Sequence, residues 1–230
     1  DYVFGHLIEA QSRKLIESMG GKVLGSVRHP QNTADFASFI LLAKQSGAKV
    51  LGLANAGNDT INSIRQAGEF GLVAAGQKMA GLILFSSDIK ALGLNAAQGL
   101  MLTESFYWDM NDQTRDFSLR FQKRFGGKMP TREQATAYAT ALHYLKAIKA
   151  TGTDKADVVV KAMKETPMEF FGSTGKIRAD GRFIHDLMLY QVKSPAESKG
   201  EWDLYKPLRL IKGEDAFVPL DKSECPLLKP

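Results

Sequence analysis

Between Lys49 and Phe85 the chain reads KVLGLANAGNDTINSIRQAGEFGLVAAGQKMAGLILF, and this stretch decides the fold class. Lys49–Leu53 is a short apolar run without polar alternation, the pattern of a strand buried on both faces. Asn58–Phe70 carries Ile61 and Ile64 at helical spacing, and Met79–Phe85 is a second apolar run. Apolar strands alternating with amphipathic helices predict an α/β fold, a parallel sheet sandwiched between helices.

Upstream the same rhythm holds. His6–Met19 reads as a helix stopped by Gly20-Gly21, and Lys22–Val27 as a strand. Asn32 or Thr33 is placed to cap a helix with Phe36, Phe39, Ile40 and Ala43 on one face, ended at Gly47. Downstream, Leu100–Phe106 is strand-like and runs into Phe106-Tyr107-Trp108. Two long helices follow, one capped near Asn111 with Phe117, Phe121 and Phe125 in line. The other opens on the capping box Thr131…Gln134, with Tyr138, Ala141, Leu142 and Leu145 on one face. A third helix starts at Thr153 or Asp154. Beyond Gly172 come short β-like runs, His185–Val192 and Glu201–Tyr205, and a loose tail, Pro226–Pro230. A βα layer should begin with a strand, yet the sequence opens on a loop and helix. The expectation is that a strand preceding Tyr2, and partners for Phe117–Leu145, belong to a segment outside these residues.

Composition narrows the function. With 44% hydrophobic and 24% charged residues in 230, the chain is globular rather than disordered. Its net charge of +5 is scattered, densest at Lys123, Arg124 and Lys128, which fits a solvated surface and no nucleic-acid partner. No apolar run approaches the ~20 residues of a membrane span. A single cysteine, Cys225, leaves no internal disulfide or cysteine-based zinc cluster. The histidines His6, His29, His143 and His185 lack metal-ligand spacing, and His143 reads as a structural helix residue. The chain contains no G-x-S-x-G, H-E-x-x-H, Walker A or G-x-G-x-x-G sequence, so neither catalysis nor a cofactor is expected.

Loops at strand carboxyl ends are where an open parallel sheet binds ligands, and helix N-termini there suit a carboxylate. Asp1–Gly5, Ala54–Asn58 and Ser86–Asp88 are three such loops, expected on one side of the sheet. Asn55 stands directly after the apolar run Val50–Leu53, at the sheet's carboxyl edge. Asn58 and Asp88 equally suit helix capping, and Phe4 a hydrophobic staple. Trp108, with Phe106 and Tyr107, is either packing or the aromatic wall of a cleft.

The order and spacing of several motifs then carry a resemblance over nearly the whole chain. They are Asp1-Tyr-Val-Phe-Gly-His6, Gly20-Gly-Lys-Val-Leu-Gly-Ser26, Asp35-Phe-Ala-Ser-Phe39, Gly52-Leu-Ala-Asn-Ala-Gly57, Ile64-Arg-Gln-Ala-Gly-Glu-Phe-Gly71 and Gly99-Leu-Met-Leu-Thr103. Together with Pro130-Thr131 they resemble type I periplasmic solute-binding proteins of the leucine/isoleucine/valine-binding group, which serve ABC importers. The resemblance implies two α/β lobes joined by three crossovers and closing on a small ligand. It also implies a non-catalytic periplasmic carrier, partnered by an ABC permease in the inner membrane. Residues 1–105 would form ligand-binding lobe two, 106–170 helices belonging mainly to lobe one, and 171–230 a crossover, short strands and tail.

The family's aromatic before glycine falls on Phe4, a position where amino-acid binders commonly have tyrosine, so one hydroxyl contact is lost; Tyr2 lies beside it. Its ligand-facing loop falls on Ala54–Gly57, with Asn55 as contact, and its acidic residue near Phe85–Asp88, with Asp88 the candidate. The implied ligand is a small carboxylate: a branched-chain amino acid, or an aromatic or aliphatic acid lacking the ammonium. The alternatives are a ligand-sensing domain of a receptor or regulator and an α/β enzyme.

Overall fold

The computed structural model describes residues 1–228. Strands β1 (Val50–Leu53) and β2 (Lys78–Gly81) pair in parallel, Val50 opposite Lys78 through Leu53 opposite Gly81. Parallel pairing continues to β3 (Met101–Glu104), with Ala80 opposite Met101. A second, antiparallel sheet joins β4 (Met168–Phe170), β5 (Ser173–Ile177) and β6 (Phe183–Ile184). Strands β7 (Leu187–Val192) and β8 (Tyr205–Ile211) complete a five-stranded sheet of order β1-β2-β3-β7-β8. The fold is α/β as expected, with β1–β3 parallel; the separate β4–β6 sheet is antiparallel because its strands lack the helical crossovers that parallel neighbours need. Two compact units result. The first is Asp1–Leu102 with Tyr190–Pro207; the second is Thr103–Leu189 with the described residues from Leu208 on. The chain passes between them three times, within β3, β7 and β8.

In the first unit, helices α1 (Val3–Ser18), α2 (Ala37–Gln45) and α3 (Gly57–Glu69) precede the short α4 (Ser86–Leu92) and α5 (Leu94–Ala97). Its core gathers Phe36, Ile40, Leu53, Ile64, Met79, Leu84, Ile89 and Leu100, all buried. Burying one such side chain contributes about 1.5–3 kcal/mol, which is what holds α2–α4 to the sheet. Helix α1 contributes no buried residue.

Two expectations fail here. Lys22–Val27 joins no ladder among the described residues. The segment is tethered instead by side chains, Ser26 Oγ donating to Glu9 at 2.7 Å and Arg28 donating to the same carboxylate at 3.2 Å. An apolar run becomes a strand only when a neighbour takes its backbone groups, and β1 is the terminal strand of its sheet. Neither Asn32 nor Thr33 caps α2. That helix begins at Ala37, whose N–H donates to Asp35 at 2.9 Å, while Gln66 of α3 accepts the Phe36 N–H at 2.7 Å.

The second unit holds α6 (Asp112–Arg124), α7 (Arg132–Thr151), α8 (Ala156–Glu165) and the single turn α9 (Gly213–Ala216). Both predicted caps form. Asn111 Oδ1 accepts the Thr114 N–H at 3.0 Å, and Gln134 Oε1 accepts the Thr131 N–H at 2.8 Å. Phe106, Phe117, Ala135, Ala139, Met168 and Phe170 form the core. The turn between β4 and β5 is Phe171-Gly172, both left-handed at φ 46° and 86°. Such a turn matches strand twist but favours Asn or Gly at its first position. Phe171 is held there by rings, 4.8 Å from Phe117 and 4.9 Å from Phe106. Pro226–Leu228, expected to be loose, forms a 3-10 turn, and the rest of the expected tail, Lys229 and Pro230, lies outside the described residues.

Candidate functional site

Because β1 and β2 run parallel and in register, their carboxyl ends at Leu53 and Gly81 share one edge, and the Leu82 N–H donates across it to the Leu53 carbonyl at 3.1 Å. The loops leading to α3 and α4 therefore leave from the same rim. The first turn of α1 reaches this rim as well: a Cβ on Gly5 would lie 3.7 Å from the Ala54 carbonyl oxygen. Phe4 is half-buried there and stacks on the more exposed Tyr2 at 5.7 Å between ring centroids. Tyr2, Phe4 and Ala54 thus come together. Phe85 and Asp88 stand on the neighbouring loop, and Trp108 belongs to the second unit, edge-on to Tyr107 at 6.1 Å.

Asn55 is nearly buried, at 9% exposure, and its amide is engaged inside the protein. Nδ2 lies 3.2 Å from His29 Nε2 and donates to Ser63 Oγ at 3.3 Å, and Oδ1 accepts from Thr60 Oγ1 at 2.9 Å. His29 is the residue that sequence reading missed. It lies 26 positions from Asn55, and no local pattern links the two. On the next loop, Asp88 Oδ2 accepts the Phe85 N–H at 2.9 Å, so Asp88 serves as a cap. Asp59, in the first turn of α3, accepts the Asn32 N–H at 3.1 Å. Both helix starts therefore carry a carboxylate, and the one at α4 takes up the Phe85 N–H.

The charges along α1 serve structure: the hydrogen bond from the Ser26 hydroxyl, joined by the Arg28 guanidinium, holds the Glu9 carboxyl below the usual range against the opposing effect of burial. In the second unit, Glu104 is buried at 2% exposure and accepts from Arg132 at 3.0 Å, and Arg132 also bonds the Thr103 carbonyl. His143 is buried on α7 with Nε2 on the Met163 carbonyl at 3.0 Å, the structural role expected for it. An open groove of about 560 Å³ on α6–α8 is lined by Phe117, Tyr138, Leu142, Ala147 and Phe171. Among the described residues, no cluster of three or more His, Cys, Asp or Glu could hold a metal ion. Nor is any helix long and apolar enough to cross a membrane.

A parallel rim whose loops hold an aromatic pair and internally bonded polar side chains, on a chain crossing three times between two units, defines a class of ligand-binding α/β protein. Residues 1–201 match the periplasmic binding protein family, and the chain belongs to it. It is similar to a periplasmic binding protein from Burkholderia mallei at 44% identity and TM-score 0.93, over 100% of this chain and 60% of that one. A branched chain amino acid ABC transporter periplasmic ligand-binding protein from Burkholderia xenovorans LB400 aligns at 40% identity and TM-score 0.90, over 99% of this chain and 61% of that one. A solute-binding protein of an ABC transporter from Rhodopseudomonas palustris HaA2, in complex with p-hydroxybenzoic acid, aligns at 26% identity and TM-score 0.80, over 93% and 58%. The chain thus spans about 60% of the length of these structures. A search of curated proteins finds no match.

Proposed function

We propose that this chain is the solute-gripping part of a periplasmic carrier that binds a small carboxylate and hands it to an ABC permease by closure of its lobes. The solute is a branched-chain amino acid or an aromatic or aliphatic acid, and the protein itself performs no chemistry. One observation carries the reading: the Phe4 turn, the Ala54–Gly57 loop and the loop before Asp88 depart from a single edge of the β1–β2 pair. In an open parallel sheet that edge is where ligands sit. Phe4 and Tyr2 supply an apolar platform, and Asn55 and Asp88 the polar contacts that orient a solute. Family membership and the similarity to carriers of amino acids and of p-hydroxybenzoic acid support the same class.

Isothermal calorimetry with leucine, valine, 4-hydroxybenzoate and 4-methylpentanoate tests this. The expected outcome is one-site binding of at least one of them with a dissociation constant at or below about 10 μM. Heats indistinguishable from dilution for all four would reject the reading.

A further inference from the structure

The hydrogen-bond count at Asn55 can be closed atom by atom. The Pro30 carbonyl only accepts, so the 2.8 Å contact from His29 Nδ1 places the ring proton on Nδ1. Nε2 then carries the lone pair and accepts one hydrogen of Asn55 Nδ2 at 3.2 Å. The second Nδ2 hydrogen goes to Ser63 Oγ, whose own hydrogen is given to the Thr60 carbonyl at 3.0 Å. Thr60 Oγ1 donates to Asn55 Oδ1. An asparagine amide has two donors and two acceptor lone pairs. Both donors are used, and what remains is one lone pair on Oδ1. The ring cannot easily turn to change this, because Phe36 and Phe39 meet it edge-on at 4.7 and 6.0 Å.

We propose that His29 is a positioning residue that locks the Asn55 amide with an acceptor as its one open position, so that the solute group meeting Asn55 is a donor. An ammonium or a hydroxyl fits; a carboxylate at that point does not, since two oxygens with no proton between them repel. This rests on the solute-binding reading above and narrows it. The charged groups around the ring are Arg28, paired with Glu9, and Asp1, whose amino group donates to the His29 carbonyl and whose carboxylate contacts His6. Phe36, just before α2, and Phe39 within it pack against the ring.

Imidazole nitrogen NMR on the protein, read beside calorimetry, tests the proposal. The expected result is His29 with its proton on Nδ1 and the lone pair on Nε2, facing the Asn55 amide. Calorimetry compares leucine with 4-methylpentanoate and 4-hydroxybenzoate with benzoate, each pair differing by one donor group. At pH 8 the donor-bearing member should bind at least about tenfold tighter. That preference should fall about fivefold or more in His29→Phe, which keeps the ring packing. His29→Gln, whose carbonyl oxygen accepts, should restore it. An Nε2–H ring in the NMR spectrum overturns the positioning claim whether or not anything binds. Undiminished preference in a folded His29→Phe overturns the specificity claim. Failure of all four solutes to bind rejects the solute-binding reading itself, and the specificity claim with it.

Discussion

The imidazole of His185 sits among three aromatic rings, 4.8 Å from Phe183, 5.3 Å from Phe217 and 5.5 Å from Phe170. Burial pushes its pKa below the ordinary histidine value, only partly offset by the Asp186 carbonyl and carboxylate. A base with a lowered folded pKa contributes full stability above its unfolded pKa of 6.5. As pH falls from there toward the folded value, the unfolded chain takes up the proton first and stability is lost. Urea midpoints of the wild type should therefore decline as pH drops below about 6.5, and His185→Phe should flatten that decline while keeping the ring cluster. Asn55 was visible in the sequence because a polar residue directly after an apolar strand stands out. Its partner was not, because the His29 contact exists only once the chain has folded back across α2.

Helix ends show what sequence resolves at the scale of the element. The Asn111 and Thr131 caps were legible because capping is local chemistry between residues three apart. Lys22–Val27 was misread because strand formation depends on a partner elsewhere in the chain. The Phe171-Gly172 turn escaped notice for a related reason: packing, not turn propensity, holds Phe171 at positive φ. Asn111 links the two kinds of signal. It caps α6, and its Nδ2 donates to the Phe171 carbonyl at 2.9 Å. Asn111→Ala should accordingly cost about 2 kcal/mol, roughly one for the cap and one for the turn bond, measured by chemical denaturation. A Cβ on Gly172 would lie 3.2 Å from that same amide nitrogen at φ 86°, so Gly172→Ala should also destabilise the hairpin.

Many apolar side chains stay exposed across the molecule, and two groups of them matter here. In the second unit they are Phe125, Tyr138, Leu142 and Leu145; in the first, Val3, Leu7, Leu15 and Met19 along α1. Monomers rarely leave patches of this kind open. Sedimentation velocity on these 230 residues should show a weight-average mass that rises with concentration, and Leu142→Lys with Leu145→Lys should suppress the rise. The parallel α/β character follows from the regular rhythm of apolar runs, which the sequence displays openly, and the three passages between units are what the family resemblance of its motifs implies. How the rim's polar groups are paired follows from tertiary contacts, which it does not.

The proposed grip on the solute is the rim at the carboxyl edge of β1 and β2. Calorimetry of the best-binding small carboxylate with the wild type, Phe4→Ala and the distant surface variant Lys161→Ala tests it most directly. A loss of at least about tenfold in affinity is expected for Phe4→Ala, and an unchanged constant for Lys161→Ala. Equal affinity of a folded Phe4→Ala variant and the wild type would contradict it.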